Sequence, residues 1–166
     1  MAWYLRKVRW MRWEDRIIDP KTPFTAISPD PLGDVSTIKK KLSLWQVDDD
    51  FANLDRVIAL LAATVQAPAE FAFITFPADQ VDFLGLRVTQ DNGQSPDAKA
   101  NVMWHFDLEV PSAEHLIRFA RFLLHQGKRD RKNVEDVKRL IYVGIQKREL
   151  DPTKMSSSLL AKVRPS

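Results

Sequence analysis

Cysteine is absent from the 166 residues. That removes disulfides, thiolate nucleophiles, iron–sulfur clusters and cysteine zinc sites, and it agrees with a reducing compartment. Glycine is nearly as scarce. The five glycines (Gly33, Gly85, Gly93, Gly127 and Gly144) stand too far apart for a phosphate-cradling loop. The chain holds no G-x-S-x-G elbow, no serine in an activating context and no H-E-x-x-H pair. Its longest apolar candidate, residues 57–65, falls well short of the ~20 residues that a membrane helix needs. The opening run Met1-Ala2-Trp3-Tyr4-Leu5-Arg6-Lys7 lacks the apolar centre of a signal peptide. These absences predict a soluble, cytoplasmic chain with no cofactor and no membrane partner. They also weigh against enzymes that carry a signature motif.

The residues that are present describe an ordinary globular protein. Hydrophobic residues make up 45% and charged residues 28%, enough for a core without staples. One domain is expected over 1–152, followed by a basic, serine-rich, loosely held tail over 153–166. Net charge is +3, unevenly placed. Residues 1–16 hold five basic against two acidic side chains, and residues 126–166 hold eleven against five. The middle of the chain is therefore acidic.

Pattern along the chain predicts an α+β domain: an antiparallel sheet of about five strands, with about three helices mainly on one face. Residues 3–13 read as a strand from their aromatic content, although Tyr4, Leu5, Val8 and Met11 also suit a helix. Five proline and glycine positions make 19–33 a loop, with a short strand over 24–27. Residues 37–47 read as an edge strand, its lysines exposed. Asp48, Asp49 and Asp50 should cap a helix striped by Phe51, Leu54, Val57, Ile58 and Leu61. Strands follow over 70–76 and 82–90, then a turn-rich hairpin connection over 91–97. Alternation over 101–110 predicts a strand with Val102, Trp104, Phe106, Leu108 and Val110 on one face. Ser112 should cap a helix ending at Gly127, and Asn133 a third helix after a basic linker, Lys128–Lys132.

Three constellations carry candidate chemistry. His105, Asp107 and Glu109 would share one strand face, at intervals of roughly 6–7 Å. Imidazole and carboxylates suit a metal or acid–base site, although alternation alone puts polar residues on a solvent face. Near the start, Arg6, Lys7, Arg9 and Arg12 interleave with Trp3, Trp10 and Trp13. Cations beside flat rings suit single-stranded nucleic acid, while tryptophans also anchor cores. The third is Lys128, Arg129, Arg131 and Lys132 ahead of a helix carrying Lys138, Arg139, Lys147 and Arg148. That is a basic face open to an acidic partner, or a solvated one.

The preferred expectation is a non-enzymatic protein-interaction domain, an accessory or regulatory subunit of a bacterial system. Trp3, Arg6, Arg9, Trp10, Arg12, Trp13, Lys128, Arg129, Arg131 and Lys132 are its candidate contacts, because tryptophan and arginine are favoured at interface hot spots. Nucleic-acid binding through the same basic ends is the alternative. A small metal-dependent enzyme around His105, Asp107 and Glu109 is the third reading.

Overall fold

The computed structural model describes residues 2–13, 29–35 and 41–163. The described elements run β1 (Trp3–Val8), α1 (Trp10–Trp13), α2 (Pro29–Val35), β2 (Lys41–Val47), α3 (Leu54–Ala62) and β3 (Phe71–Pro77). Then come β4 (Arg87–Gln90), α4 (Ala98–Met103), β5 (His105–Glu109), α5 (Ala113–Gln126), β6 (Lys128–Lys132), α6 (Val134–Gln146) and α7 (Ser157–Val163). The strands form one sheet in the order β4-β5-β2-β1-β3-β6, and every neighbouring pair is antiparallel. The α+β class and the antiparallel sheet are as expected, with six strands rather than about five.

The helices divide between the two faces of the sheet instead of lying mainly on one. Alternation along the central strands explains why. Leu5 of β1, Trp45 and Val47 of β2, and Phe71 and Phe73 of β3 point into one core, closed by α3, α6 and α7. Val8, Leu42, Leu44, Ala72, Ile74 and Phe76 point into the other, closed by α5 and by Trp13 and Val35 of the short helices. Strand β3 is buried at all six positions from Phe71 to Phe76, so its near-continuous apolar run serves both layers. Phe76 meets Phe119 and Phe122 of α5 edge-on, each at 5.6 Å between centroids. Such ring pairs contribute about 0.5–1.5 kcal/mol beyond their buried area.

The long helices form where local signals place them. Ser112 accepts a hydrogen bond from the His115 N–H and starts α5. Asn133 accepts one from the Asp136 N–H at 2.9 Å and starts α6. Gly127 ends α5 for want of space: a Cβ there would collide with Ile74 of β3 and the Leu123 carbonyl.

Several expectations are corrected. Strand β1 ends at Val8, and Trp10–Trp13 is a single helical turn. Residues expected in a proline loop form α2; Pro29 sits at its start, where a missing N–H costs nothing. The expected strand over 24–27 and residues 37–40 lie outside the described residues. Strand β2 is interior to the sheet and not an edge. Asp48, Asp49 and Asp50 do not cap α3: Asn53 is its N-cap residue, and the Asn53 carbonyl oxygen of the side chain accepts the Asp48 N–H instead. Phe51 takes a left-handed φ of 61° in that turn. Residues 101–103 of the expected strand 101–110 are helical, because Asp97 accepts the Ala100 N–H at 2.9 Å and caps α4. Only Arg87–Gln90 of the expected strand 82–90 is extended. The expected basic linker is the edge strand β6. Within the expected loose tail, Leu159 and Val163 of α7 and the preceding Met155 are buried in the core.

Candidate functional site

The two basic segments, more than a hundred residues apart in sequence, meet on either side of β3. Arg6 pairs with Ile74, which pairs with Arg129; Val8 pairs with Ala72, which pairs with Arg131. Strand parity thus puts Arg6, Arg129 and Arg131 on the face that carries α1, and Lys7, Lys128 and Lys132 on the opposite one.

Across that junction, cations sit on tryptophans. Lys128 Nζ lies 4.4 Å from the Trp3 ring and the Arg131 guanidinium 4.8 Å from that of Trp10. Arg129 donates to the Trp13 carbonyl oxygen. Trp3 also packs on Phe51 at 5.4 Å, and Trp13 is fully buried. The rings that a stacking platform would need are engaged within the fold, each contact of this kind contributing ~0.5–1 kcal/mol where exposed.

Asp34 organises the cations beside β1, and sequence reasoning missed it. Its carboxylate is 7% exposed and accepts from the Arg9 N–H at 2.7 Å, the Trp13 Nε1–H at 2.9 Å and Arg12 Nη1 at 3.1 Å. Its backbone carbonyl accepts from Arg6 Nη2 at 3.0 Å. Of the predicted contacts, Arg6, Arg12 and Trp13 therefore hold the fold together. A burial signal for Asp34 did not exist in sequence, since its partners lie 21 to 28 positions away.

The same arginine spans an opening in the sheet. Strands β1 and β2 are paired only where Trp3, Tyr4 and Leu5 meet Val47, Gln46 and Trp45. Beyond Leu5 they separate, while β2 continues against β5 as far as Lys41. Arg6 crosses the gap, with Nη1 donating to the Ser43 carbonyl at 3.0 Å. Burial lowers the Arg6 pKa, and Asp34 opposes that shift. Its Nε is buried without a hydrogen-bond partner. A cavity of about 530 Å³ occupies the gap, lined among the described residues by Arg6, Lys7, Arg9, Ser43, Trp45 and Leu61, with Gly33 and Asp34 at one side. Lys7 has its Nζ 5.3 Å from the Phe71 ring, and burial lowers its pKa. Arg9 is 74% exposed and reaches only the outer edge of the Asp34 carboxylate, at 4.0 Å.

At the other side of the sheet, His105, Asp107 and Glu109 do share a strand face, but it is not a solvent face. His105 is buried edge-on against Trp45 at 5.0 Å and its Nδ1 lies 3.1 Å from the Asp91 carbonyl oxygen. His105 Nε2 is 4.0 Å from Asp107 Oδ1, which shares its carboxylate with Lys41 Nζ at 3.2 Å. Glu109 stands in register between Lys41 and Arg87. Among the described residues no group of three or more histidine or acidic side chains is placed to hold a metal ion. His115 is turned to Ser112 instead. The basic helix α6 pairs its own cations: Lys138 with Glu135 and Arg139 with Asp136.

Among the described residues no helix is long and apolar enough to cross a membrane. Compared with protein-family models, with curated proteins and with solved structures, the chain matches none.

Proposed function

We propose that this chain is a non-catalytic interaction domain that binds an acidic segment of another protein at the basic edge where β1 and β6 flank β3, as an accessory or regulatory subunit would. One observation carries the reading: among the described residues, cations from two distant segments gather here in excess of their counter-ions. Arg131 has Glu70 at 3.4 Å and Lys132 has Asp55 at 4.0 Å. Lys7 and Lys128, by contrast, make no ion pair among the described residues, and Arg9 is nearly free of Asp34. A surface of one sign raises the local concentration of an oppositely charged partner and speeds its association.

Nucleic acid would compete for the same cations. It is the weaker reading because Trp13 is buried and Trp3 and Trp10, half-buried, each already carry a cation of the fold, which leaves little ring for base stacking. The test is fluorescence anisotropy with a labelled acidic peptide and a labelled random oligonucleotide of similar charge. Binding of the peptide that weakens with salt and is lost in an Arg9→Glu/Lys128→Glu double variant supports the proposal. A peptide that does not bind at low salt sinks it. Tighter oligonucleotide binding with a steep salt slope would transfer the surface to nucleic acid.

A further inference from the structure

We propose that the gap between β1 and β2 is an oxyanion pocket that takes a phosphoryl group, held by the three cations that line it, Arg6, Lys7 and Arg9. The inference deepens the acidic-partner reading and rests on it: the pocket is the point on the basic surface where a partner's charge is gripped.

Four features of the gap lead there. Three cations, Arg6, Lys7 and Arg9, line one cavity, more positive charge than one carboxylate would balance. Among the described residues the only carboxylate in the lining is Asp34, and Arg12, Trp13 and the Arg9 N–H already occupy it. Arg6 is fixed by two backbone carbonyls, from Ser43 and Asp34, one on each side of the gap. A pre-ordered guanidinium suits a tetrahedral oxyanion, because charge-assisted hydrogen bonds are the strong ones. Trp45 and Leu61 form an apolar wall, and a drier setting strengthens each charge contact. Finally, the Lys7 ammonium sits in a partly desolvated place with no counter-ion among the described residues. A dianion would relieve that cost.

Two sources could supply the group: a phosphorylated side chain of the partner protein, or free inorganic phosphate. The experiment uses the full chain and follows backbone amide NMR shifts and calorimetric heats. Inorganic phosphate is added to the wild type and to Lys7→Gln, Arg9→Gln and, as a control at an exposed position on β4, Arg87→Gln, each first shown to melt like the wild type. In a second arm the acidic peptide is compared with a version carrying one phosphoserine. Phosphate should shift amides around Arg6–Arg9 and Ser43, with affinity reduced about tenfold, or 1.4 kcal/mol, in Lys7→Gln and Arg9→Gln and unchanged in Arg87→Gln. A phosphopeptide that binds about tenfold tighter than its unmodified form assigns the group to the partner; equal binding assigns it to free phosphate. Shifts scattered over the surface, or equal losses in all three variants, overturn the pocket. Acidic-peptide binding that survives while phosphate fails overturns the pocket alone, and failure of both overturns the interaction reading as well.

Discussion

On the β1–β6 side of the sheet, Asp34 gathers donors from Arg9, Arg12 and Trp13, yet Lys7 and Lys128 are left without a carboxylate among the described residues. On the β5–β4 side, His105, Asp107, Asp91 and Lys41 close on one another within 4.0 Å. Both regions looked chemically promising as residue patterns, and they differ in what remains after folding. Charge that folding has already paired is engaged in holding the structure. Charge left over at a cavity mouth is available to a ligand. The difference argues for judging a candidate site by its unspent donors and acceptors rather than by residue type.

The comparison can be broken in four places. The largest effect is expected from Asp34→Ala, which strands the buried Trp13 Nε1–H and the arginines round it. A loss of about 3–5 kcal/mol is expected by denaturant unfolding. A loss below ~1 kcal/mol would mean that the hub is not structural. Next, His105→Phe keeps the ring against Trp45 and removes the polar contacts, and should cost ~1 kcal/mol while leaving acidic-peptide affinity unchanged. Altered affinity would return function to the β5–β4 side. Third, Arg9→Gln/Lys128→Gln should cost no more than ~1 kcal/mol of stability, the worth of the lost Lys128–Trp3 contact, yet weaken the peptide markedly in the same anisotropy assay. If melting and binding fall together, the open cations are structural after all.

The smallest effect concerns protons. Asp91 is held below the usual carboxylate range, first by the N–H of Asn92 and then by Asp107, Lys41 and His105. A carboxyl with a depressed folded pKa stabilises the fold above its unfolded value, ~3.9. That contribution is lost as pH falls through the lower, folded value. A carboxyl-carbon NMR titration should therefore place the Asp91 midpoint below ~3.9 and move it upward in Lys41→Met. A midpoint at the ordinary value would open the network that the comparison treats as closed.

Elements whose cause is local were legible in sequence. Helices α5 and α6 carry their caps, Ser112 and Asn133, within one turn of their starts, and their apolar stripes follow the helical period. Strand β3 was legible because few arrangements bury Phe71-Ala72-Phe73-Ile74. The cap at Asp97 was also a readable signal, but Val102, Trp104 and Phe106 alternate as a strand would, and the alternation outweighed it. Of the site, the residue types were legible and their arrangement was not. Trp3, Trp10 and Trp13 were marked as contacts, and each is engaged inside the fold.

What the amino-acid order by itself determined is the α+β class, the three long helices and the concentration of cations at both ends of the chain. Tertiary structure decided the rest. Lys128–Lys132 is a strand only because β3 offers it a partner, and α7 is helical where Leu159 and Val163 find the core. The cations became a site because β1 and β2 part beyond Leu5, and Arg6 reaches Ser43 and Asp34, 37 and 28 positions away. Hydrogen bonds over such spans depend on where folding brings the chain back upon itself, and no local window of sequence records that.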